Sequence, residues 1–268
     1  MKTYETLVIT EKAPGVWALQ LNRPESLNAL SMQMLEDLAD AAGMLYDLPE
    51  VRALIIIGAG NHFMAGGDIR DFHRSLALSP ETRKAQYRAV IERAANVLVE
   101  RLTHAPFPVV SAVRGACAGF GLSLALMADL VVASRSAYFT TAYLNIGLSA
   151  DGGMSYLLPR AVGAKRAARW LLLAERFSAE EALAAGAVSE IVADDQLEAR
   201  VMEIATRWAH GPRHALLRMK RLLAESMEHT LEAQLLEEAD AFSACSATEE
   251  FAEGVTAFLE KRPPRFPG

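Results

Sequence analysis

Two glycine-rich turns carry the residues best suited to chemistry in this chain. The first is Phe63-Met64-Ala65-Gly66-Gly67-Asp68-Ile69, and the second runs from Gly115 to Ala125. Each follows a short apolar run typical of a buried strand, and the second leads into an apolar run of good helix formers. A single glycine turn more often serves close packing of a helix on its strand. Two of them, each freeing a backbone N–H, predict a site where both donate to one oxygen anion.

Composition limits the classes of function. Of the 268 residues 51% are hydrophobic, and 27 basic against 33 acidic residues give a net charge of −6. A negative chain of this kind argues against nucleic-acid binding and shows no sign of membrane attraction. The two cysteines, Cys117 and Cys245, are far apart in sequence, and no apolar run reaches the roughly 18 residues of a membrane span. We therefore expect a soluble, cytoplasmic protein without nucleic-acid or membrane partners.

Strand-like and helical segments alternate as far as residue 194, and helical segments alone follow. The predicted strands are Leu7–Ile9, Val16–Leu21, Val51–Ile57, Val109–Val113, Asp129–Ala133, Ala137–Thr141 and Val188–Val192. The predicted helices lie between Ser31 and Pro49, Ser79 and Leu102, Lys165 and Ala174, and Ser178 and Gly186, and then at Leu197–Trp208, Pro212–Ser226, Thr230–Ala244 and Thr248–Glu260. The pattern indicates an α/β core over residues 1–194, with repeats of strand, strand and helix. Residues 195–268 form a helical region whose apolar side chains need a partner surface.

Taken in order, these motifs resemble the crotonase, or enoyl-CoA hydratase/isomerase, superfamily. The matching stretches are Leu21–Pro24, Leu27–Leu30, Ala65–Ile69, Val113–Ala125, Ile146–Leu148, Leu158–Arg160, Ala182–Val188 and Glu253–Arg262. The resemblance covers nearly the whole chain. It implies a crotonase (ClpP-like) superhelix of ββα repeats with a C-terminal helical trimerisation region, assembled as a homotrimer or a dimer of trimers.

The resemblance also implies an acyl-CoA thioester as substrate, with its carbonyl oxygen between the N–H groups of Gly67 and Phe120. Preorganised donors of this kind are worth roughly 3–4 kcal/mol each when negative charge develops on the oxygen. Coenzyme A is then part of the substrate, and neither a separate cofactor nor a metal is expected. The further binding residues implied by the family are Arg23, Asn28, Ala29, Leu30, Ala65, Gly66, Asp68 and Ile69, with Phe258 and Lys261 supplied by a neighbouring subunit.

The chain departs from the hydratases of the family at two positions. Hydratases carry glutamates where this chain has Ser123 and Tyr143. Because addition of water to a double bond needs a general base and a general acid, this departure argues against efficient hydration. Asp151 stands where epoxyphenylacetyl-CoA and related enoyl-CoA isomerases of the family carry a catalytic aspartate. A single carboxylate can remove a proton from one carbon and return it to another.

Three functions stay open from the sequence. The leading interpretation is an enoyl-CoA isomerase with Asp151 as the base. The alternatives are an enoyl-CoA hydratase with atypical water activation and a non-catalytic acyl-CoA-binding relative. Asp151 could instead cap the following helix, and Tyr143 could act as a weak acid, orient the acyl chain or form pocket wall. NAD and ATP motifs are missing, and a proline-glycine break between His210 and His214 argues against a metal site.

Overall fold

The computed structural model describes residues 2–267 as two β-sheets surrounded by helices, which confirms the α/β class. The strands are β1 (Leu7–Ala13), β2 (Val16–Leu21), β3 (Ala53–Gly58), β4 (Val109–Val113), β5 (Ala116–Ala118), β6 (Leu130–Ser134), β7 (Tyr138–Thr140), β8 (Phe177–Ser178) and β9 (Glu190–Val192). The helices are α1 (Met32–Asp47), α2 (Ile69–Ser75), α3 (Pro80–Val90), α4 (Asn96–Thr103), α5 (Phe120–Leu126), α6 (Met154–Val162), α7 (Ala164–Leu173), α8 (Ala179–Ala185), α9 (Leu197–Ala209), α10 (Arg213–Glu225), α11 (Leu231–Ser246) and α12 (Glu249–Glu260).

The larger sheet has six strands in the order β1-β2-β3-β4-β6-β9. Its first pair is antiparallel and the remaining pairs are parallel. The central strands β3 and β4 are almost wholly apolar, as expected for strands covered on both faces. Helices α1, α4 and α5 contribute to the core on one face, and the buried side chains of α9 pack on the other. The larger sheet is thus the rigid base of the molecule.

The smaller sheet consists of the short strands β5, β7 and β8. β5 follows β4 and β7 follows β6, so the strands from β4 to β7 alternate between the two sheets. Isolated parallel bridges between Met64 and Cys117 and between Leu30 and Gly67 extend this second ladder. The alternation produces the expected superhelix of ββα repeats. It also corrects one expectation, because residues 116–118 form a strand where the sequence indicated only a turn.

Three helical features differ from the expectations. Helix α2 follows the first glycine turn, where no helix is expected from the sequence, and its N-terminus is capped by Asp68. The long helix expected from Ser79 to Leu102 is continuous but contains a π-helical segment at residues 91–95. Helix α6 also forms unexpectedly, because it contains Pro159, and proline normally interrupts a helix. All three features border the cavity described below or the loop that leads into it.

Polar contacts join α10 to the core and α12 to α10. The Lys220 ammonium group donates to the Asp129 carboxylate at 2.9 Å and to the Phe107 carbonyl at 3.0 Å, which ties α10 to the core. The buried carboxylate of Glu250 accepts a hydrogen bond from the His214 N–H at 3.0 Å and so ties α12 to α10. Because α9 packs directly on the larger sheet, the helical region continues the core. The division at residue 194 stays a prediction.

Large apolar side chains on α11 and α12 remain exposed, among them Leu236, Phe242, Phe258 and Leu259. Trimer formation, which would cover such side chains, also stays a prediction. Across residues 2–267, no helix combines the length and apolar character needed to cross a membrane.

Candidate active site

The second ladder of strands places the two glycine turns side by side. In the bridge between Leu30 and Gly67, the Leu30 N–H donates to the Gly66 carbonyl at 2.7 Å, and the Leu30 carbonyl accepts from the Asp68 N–H at 2.9 Å. In a parallel bridge this pattern directs the N–H of Gly67 itself to the opposite side. The second turn lies there, since a Cβ on Gly119 would stand only 3.6 Å from the Gly66 Cα. The absence of side chains lets the two backbones touch.

Phe120 supplies the second N–H. It is the first residue of α5, so its N–H has no acceptor within the helix. The preceding residue, Gly119, has a φ of +50° and donates its own N–H to the Thr140 carbonyl at 3.0 Å. Within residues 2–267, neither the Gly67 nor the Phe120 N–H has a hydrogen-bond acceptor. Both residues line the same cavity.

This cavity has a volume of about 440 Å³, within the range of small-ligand sites. The sequence-predicted residues that line it are Leu30, Ala65, Gly66, Gly67, Asp68, Ile69, Phe120, Tyr143 and Asp151. Its apolar walls come largely from residues that were not predicted, namely Leu35, Phe72, Tyr87, Val90 and Ile91. Leu35 and Val90 carry the helical spacing of core residues. Phe72 and Tyr87 lie in the 70–88 stretch, which was expected to shape the pocket, although neither residue was singled out. The cavity combines an apolar chamber with a few polar groups beside the two N–H donors.

Asp151 lies in the cavity wall, in a loop with positive φ at Gly147, Gly152 and Gly153. Its Oδ1 is buried and has no hydrogen-bond partner within residues 2–267. Burial raises the pKa of this carboxyl above its ordinary value, and the nearby Tyr143 hydroxyl only partly offsets the effect. The helix-cap interpretation is wrong, because Gly153 occupies the N-cap of α6 and no side chain caps it. One oxygen of the Asp151 carboxylate is therefore available to a ligand.

Ser123 and Tyr143 bring two hydroxyl groups to the same place. The Ser123 Oγ lies 3.4 Å from the Tyr143 hydroxyl oxygen. Both hydroxyls donate to the backbone carbonyl of Asp151, at 3.3 Å from Ser123 and 3.5 Å from Tyr143. Burial, and then the negative charge of Asp151, raise the pKa of Tyr143 far above its ordinary value. The phenol therefore stays neutral and keeps its proton.

An ion pair holds another lining residue of the cavity, Asp68. The Arg23 guanidinium donates to the Asp68 carboxylate at 2.9 Å, and the other Asp68 oxygen accepts from the Arg70 N–H at 3.0 Å. Burial alone would raise the pKa of Asp68, but these two hydrogen bonds outweigh it and hold the pKa below its ordinary value. Asp68 thus has partners for both oxygens, and Arg23 also donates to the Ala29 carbonyl.

Asn28 and Ala29 shape the loop beside this ion pair and do not line the cavity. Asn28 is buried with a φ of +54°. Its side chain accepts from the Arg23 N–H at 2.9 Å and donates to the carbonyls of Ala59 at 2.9 Å and His62 at 2.8 Å. Its hydrogen-bonding capacity serves the backbone. Arg23 lines an adjacent cleft that shares four residues with the cavity, Ser31, Met32, Asp71 and Tyr87.

Phe258 and Lys261 lie on α12 and at its C-terminal end, and neither lines the cavity of its own chain. Phe258 is 83% exposed. Their predicted role in a neighbouring subunit's site stays a prediction. Within residues 2–267, no group of three or more His, Cys, Asp or Glu side chains is arranged to hold a metal ion.

Known proteins share both the sequence and this architecture. A family model for enoyl-CoA hydratase/isomerase matches residues 11–268. The chain belongs to the enoyl-CoA hydratase/isomerase family. It is 36% identical over 261 residues to the 1,2-epoxyphenylacetyl-CoA isomerase of Escherichia coli, covering 97% of this chain and 98% of that protein. It is 38% identical over 258 residues to a probable enoyl-CoA hydratase of Rhodobacter capsulatus, covering 96% of each.

Solved structures of the family agree with the fold. An enoyl-CoA hydratase/isomerase structure from Mycobacterium abscessus superposes with a TM-score of 0.93 at 35% identity, covering 98% of this chain and 99% of the other. The crotonase fold is therefore confirmed, as is the family resemblance. The names of the relatives divide between hydratase and isomerase, so the reaction has to be argued from the cavity itself.

Proposed function

We propose that the protein is an enoyl-CoA isomerase in which Asp151 moves a proton while the N–H groups of Gly67 and Phe120 stabilise the thioester oxygen. One observation carries the proposal. The described residues lining the cavity include three carboxylates, and Asp151 is the one whose buried oxygen has no partner. Asp68 is paired with Arg23, and Asp71 accepts from the Met32 N–H at 3.0 Å. Asp151 is thus the available base.

The proposed reaction conserves every atom of the substrate. The Asp151 carboxylate removes a proton from C2 of a 3-enoyl-CoA, and the electron pair moves onto the thioester oxygen. The two N–H donors stabilise that oxygen anion, and a positioned base of this kind contributes about 10²–10⁴-fold to the rate. Asp151 then returns the proton to C4, so the double bond moves from C3–C4 to C2–C3. The cycle needs no water, no redox partner and no separate cofactor.

Hydration is the second candidate, favoured by the 38% identity to the probable enoyl-CoA hydratase of Rhodobacter capsulatus. It would need a base and an acid around one water molecule. The hydroxyls of Ser123 and Tyr143 lie beside Asp151, and the raised pKa of Tyr143 prevents it from becoming a base. A single carboxylate fits proton relocation better. The third candidate, an acyl-CoA-binding protein without turnover, would retain the N–H donors and lack proton transfer.

The same proposal extends to coenzyme A and to assembly. We place the coenzyme A moiety at the cavity mouth, near Arg23 and the exposed Ile69. The exposed apolar side chains of α11 and α12 support a homotrimer or a dimer of trimers. In such an assembly Phe258 and Lys261 would reach a neighbouring subunit's coenzyme A.

The test supplies wild-type enzyme with a 3-enoyl-CoA and separately with crotonyl-CoA, and follows products by chromatography and ultraviolet absorbance. We expect formation of the 2-enoyl isomer, little hydration, and loss of isomerisation by about 10²-fold or more in Asp151→Asn. Binding of a saturated acyl-CoA should persist in that variant. Full isomerase activity in Asp151→Asn would exclude Asp151 as the base, and hydration that survives the substitution would favour the hydratase.

A further inference from the structure

Three oxygen atoms meet where the Asp151 loop passes over α5. They are the Ser123 Oγ, the Tyr143 hydroxyl and the backbone carbonyl of Asp151, with separations of 3.3, 3.4 and 3.5 Å. Ser123 is fully buried and Tyr143 is largely so. Both hydroxyls donate to the backbone carbonyl of Asp151, and the Tyr143 hydroxyl also acts on the carboxylate, whose pKa it lowers. The contacts thus fix the position of the residue while its Oδ1 stays without a partner within residues 2–267.

The loop that carries Asp151 needs such an anchor. Gly147 and Gly152 have φ values of +71° and +56°, and Gly153 has +74°. Glycine in this region gives a chain more freedom than other residues, so the loop has little stiffness of its own. No side chain caps the first turn of α6, which begins directly after the loop. The position of the Asp151 loop therefore depends on the residues against which the loop packs.

The loop packs against the residue that supplies the second N–H donor. A Cβ on Gly152 would stand 2.6 Å from the Phe120 ring and 3.2 Å from the Cβ of Ser123. The backbone at residue 152 is therefore in direct contact with α5. Ser123 lies one turn after Phe120 on the same helix. One helix thus carries both the N–H donor and one of the two hydroxyls that hold the base.

We infer that Tyr143 and Ser123 are positioning residues that hold the Asp151 backbone, so that its carboxylate stays in the cavity beside the N–H donors with one oxygen free for the substrate. The inference rests on the proposed function, because it assigns how the proposed base is held. It gives a purpose to the two hydroxyl side chains that stand in place of carboxylates. Their neutrality is part of the arrangement, since a second carboxylate here would repel Asp151.

The arrangement has a signature in the pH profile. The titratable groups that line the cavity with Asp151 are Asp68, Asp71, Tyr87 and Tyr143. Of these, Tyr143 is the one that alters the pKa of Asp151, and it lowers that pKa against the raising effect of burial. Removing the Tyr143 hydroxyl should therefore raise the pKa of Asp151. Since the base acts when deprotonated, the acid limb of kcat/KM should move to higher pH.

The experiment compares Tyr143→Phe, Ser123→Ala and the double variant with wild type, measuring kcat, KM and the pH profile of isomerisation. We expect each single variant to lower kcat about tenfold with little change in KM, consistent with loss of one hydrogen bond. In Tyr143→Phe the acid limb of the kcat/KM profile should move to higher pH. The matched control is Tyr46→Phe, which removes a phenol hydroxyl from the exposed end of α1. Thermal unfolding of every variant verifies that the fold is retained.

Each outcome separates this inference from the proposed function. If Asp151→Asn is inactive while the folded hydroxyl variants keep the wild-type kcat and the wild-type acid limb, the positioning role is wrong and the function stands. If the hydroxyl variants lose kcat without movement of the limb in Tyr143→Phe, the hydroxyls act only as pocket wall, and the inference also fails. If Asp151→Asn keeps full activity, the proposed function itself fails.

Discussion

Two of the aspartates that line the cavity, Asp68 and Asp151, have pKa values shifted in opposite directions. Asp68 forms an ion pair with Arg23 at 2.9 Å and caps α2, and its pKa is lowered. Asp151 has a buried oxygen without a partner in the described chain, and its pKa is raised. Both side chains are withdrawn from water, so burial alone does not decide the outcome. The hydrogen-bond partners decide the direction of the pKa shift, and they leave one carboxylate oxygen of Asp151 unpaired within residues 2–267.

The difference extends to the backbone around each aspartate. Around Asp68, polar groups such as the Asn28 side chain hold the loop. In the cavity, the N–H groups of Gly67 and Phe120 and one carboxylate oxygen of Asp151 remain without partners within residues 2–267. Unpaired buried polar groups destabilise a fold, and they persist where a ligand can satisfy them. The surroundings of Asp68 and of Asp151 therefore differ in the number of polar groups that have no hydrogen-bond partner.

The largest predicted effect on kcat comes from moving the loop that carries Asp151. Gly152→Ala would place a Cβ 2.6 Å from the Phe120 ring at a φ of +56°, so the Asp151 loop or the ring must shift. We expect kcat to fall about 10²-fold, as for a displacement near 1 Å. Gly163→Ala is the matched control, because that glycine has a φ of +79° and nothing within 4 Å of the added Cβ. Equal activity in the two variants, both folded, would show that this contact does not position the base.

A smaller effect should distinguish the two aspartates by stability. Asp68→Ala removes a helix cap and an ion pair, and we expect it to lower the free energy of unfolding by about 1–2 kcal/mol. Asp151→Ala should leave that free energy unchanged or raise it at neutral pH. Urea unfolding of the two variants measures both values. A larger loss of stability in Asp151→Ala than in Asp68→Ala would reverse the comparison.

The pH dependence of these differences follows from the two pKa shifts. The pKa of Asp68 is lowered by folding. Its contribution to the free energy of unfolding is therefore present above the unfolded pKa and is lost as pH falls through the folded pKa. The difference in free energy of unfolding between wild type and Asp68→Ala should therefore disappear at acid pH. The pKa of Asp151 is raised by folding. Its contribution to the free energy of unfolding is therefore present below the unfolded pKa and is lost as pH rises through the folded pKa. The free energy of unfolding of Asp151→Ala, relative to that of wild type, should therefore increase as pH rises.

Much of this molecule could be predicted from its sequence, for physical reasons that differ by element. Apolar β-branched runs such as Ile55–Ile57 predict strands because periodicity and side-chain shape are local properties. Helix caps such as Ser31, Ser178 and Thr248 are local features as well, since their side chains bond the first turn of the helix that follows. The two glycine turns could be matched as candidate donors because each follows a strand. Their contact through Gly66 and Gly119 required the structure.

Other features depend on distant contacts that local patterns do not contain. Helix α6 forms although it contains Pro159, a residue type that normally interrupts a helix. The walls formed by Phe72 and Tyr87 are brought together by tertiary packing, with ring centroids 5.8 Å apart. The free oxygen of Asp151 likewise follows from what surrounds it and not from its neighbours in sequence. The residue type and position pointed to a base, and its environment had to be observed.

The most direct test of the account is exchange of the α-protons of a saturated acyl-CoA into deuterated water, followed by proton NMR. Exchange requires only a base and a stabilised enolate, so it does not depend on the natural acyl group. We predict exchange by the wild-type protein and a loss of about 10²-fold or more in Asp151→Asn, with the acyl-CoA dissociation constant nearly unchanged. Exchange at the wild-type rate in Asp151→Asn, or tight binding without exchange by the wild-type protein, would contradict the assignment of Asp151 as the base.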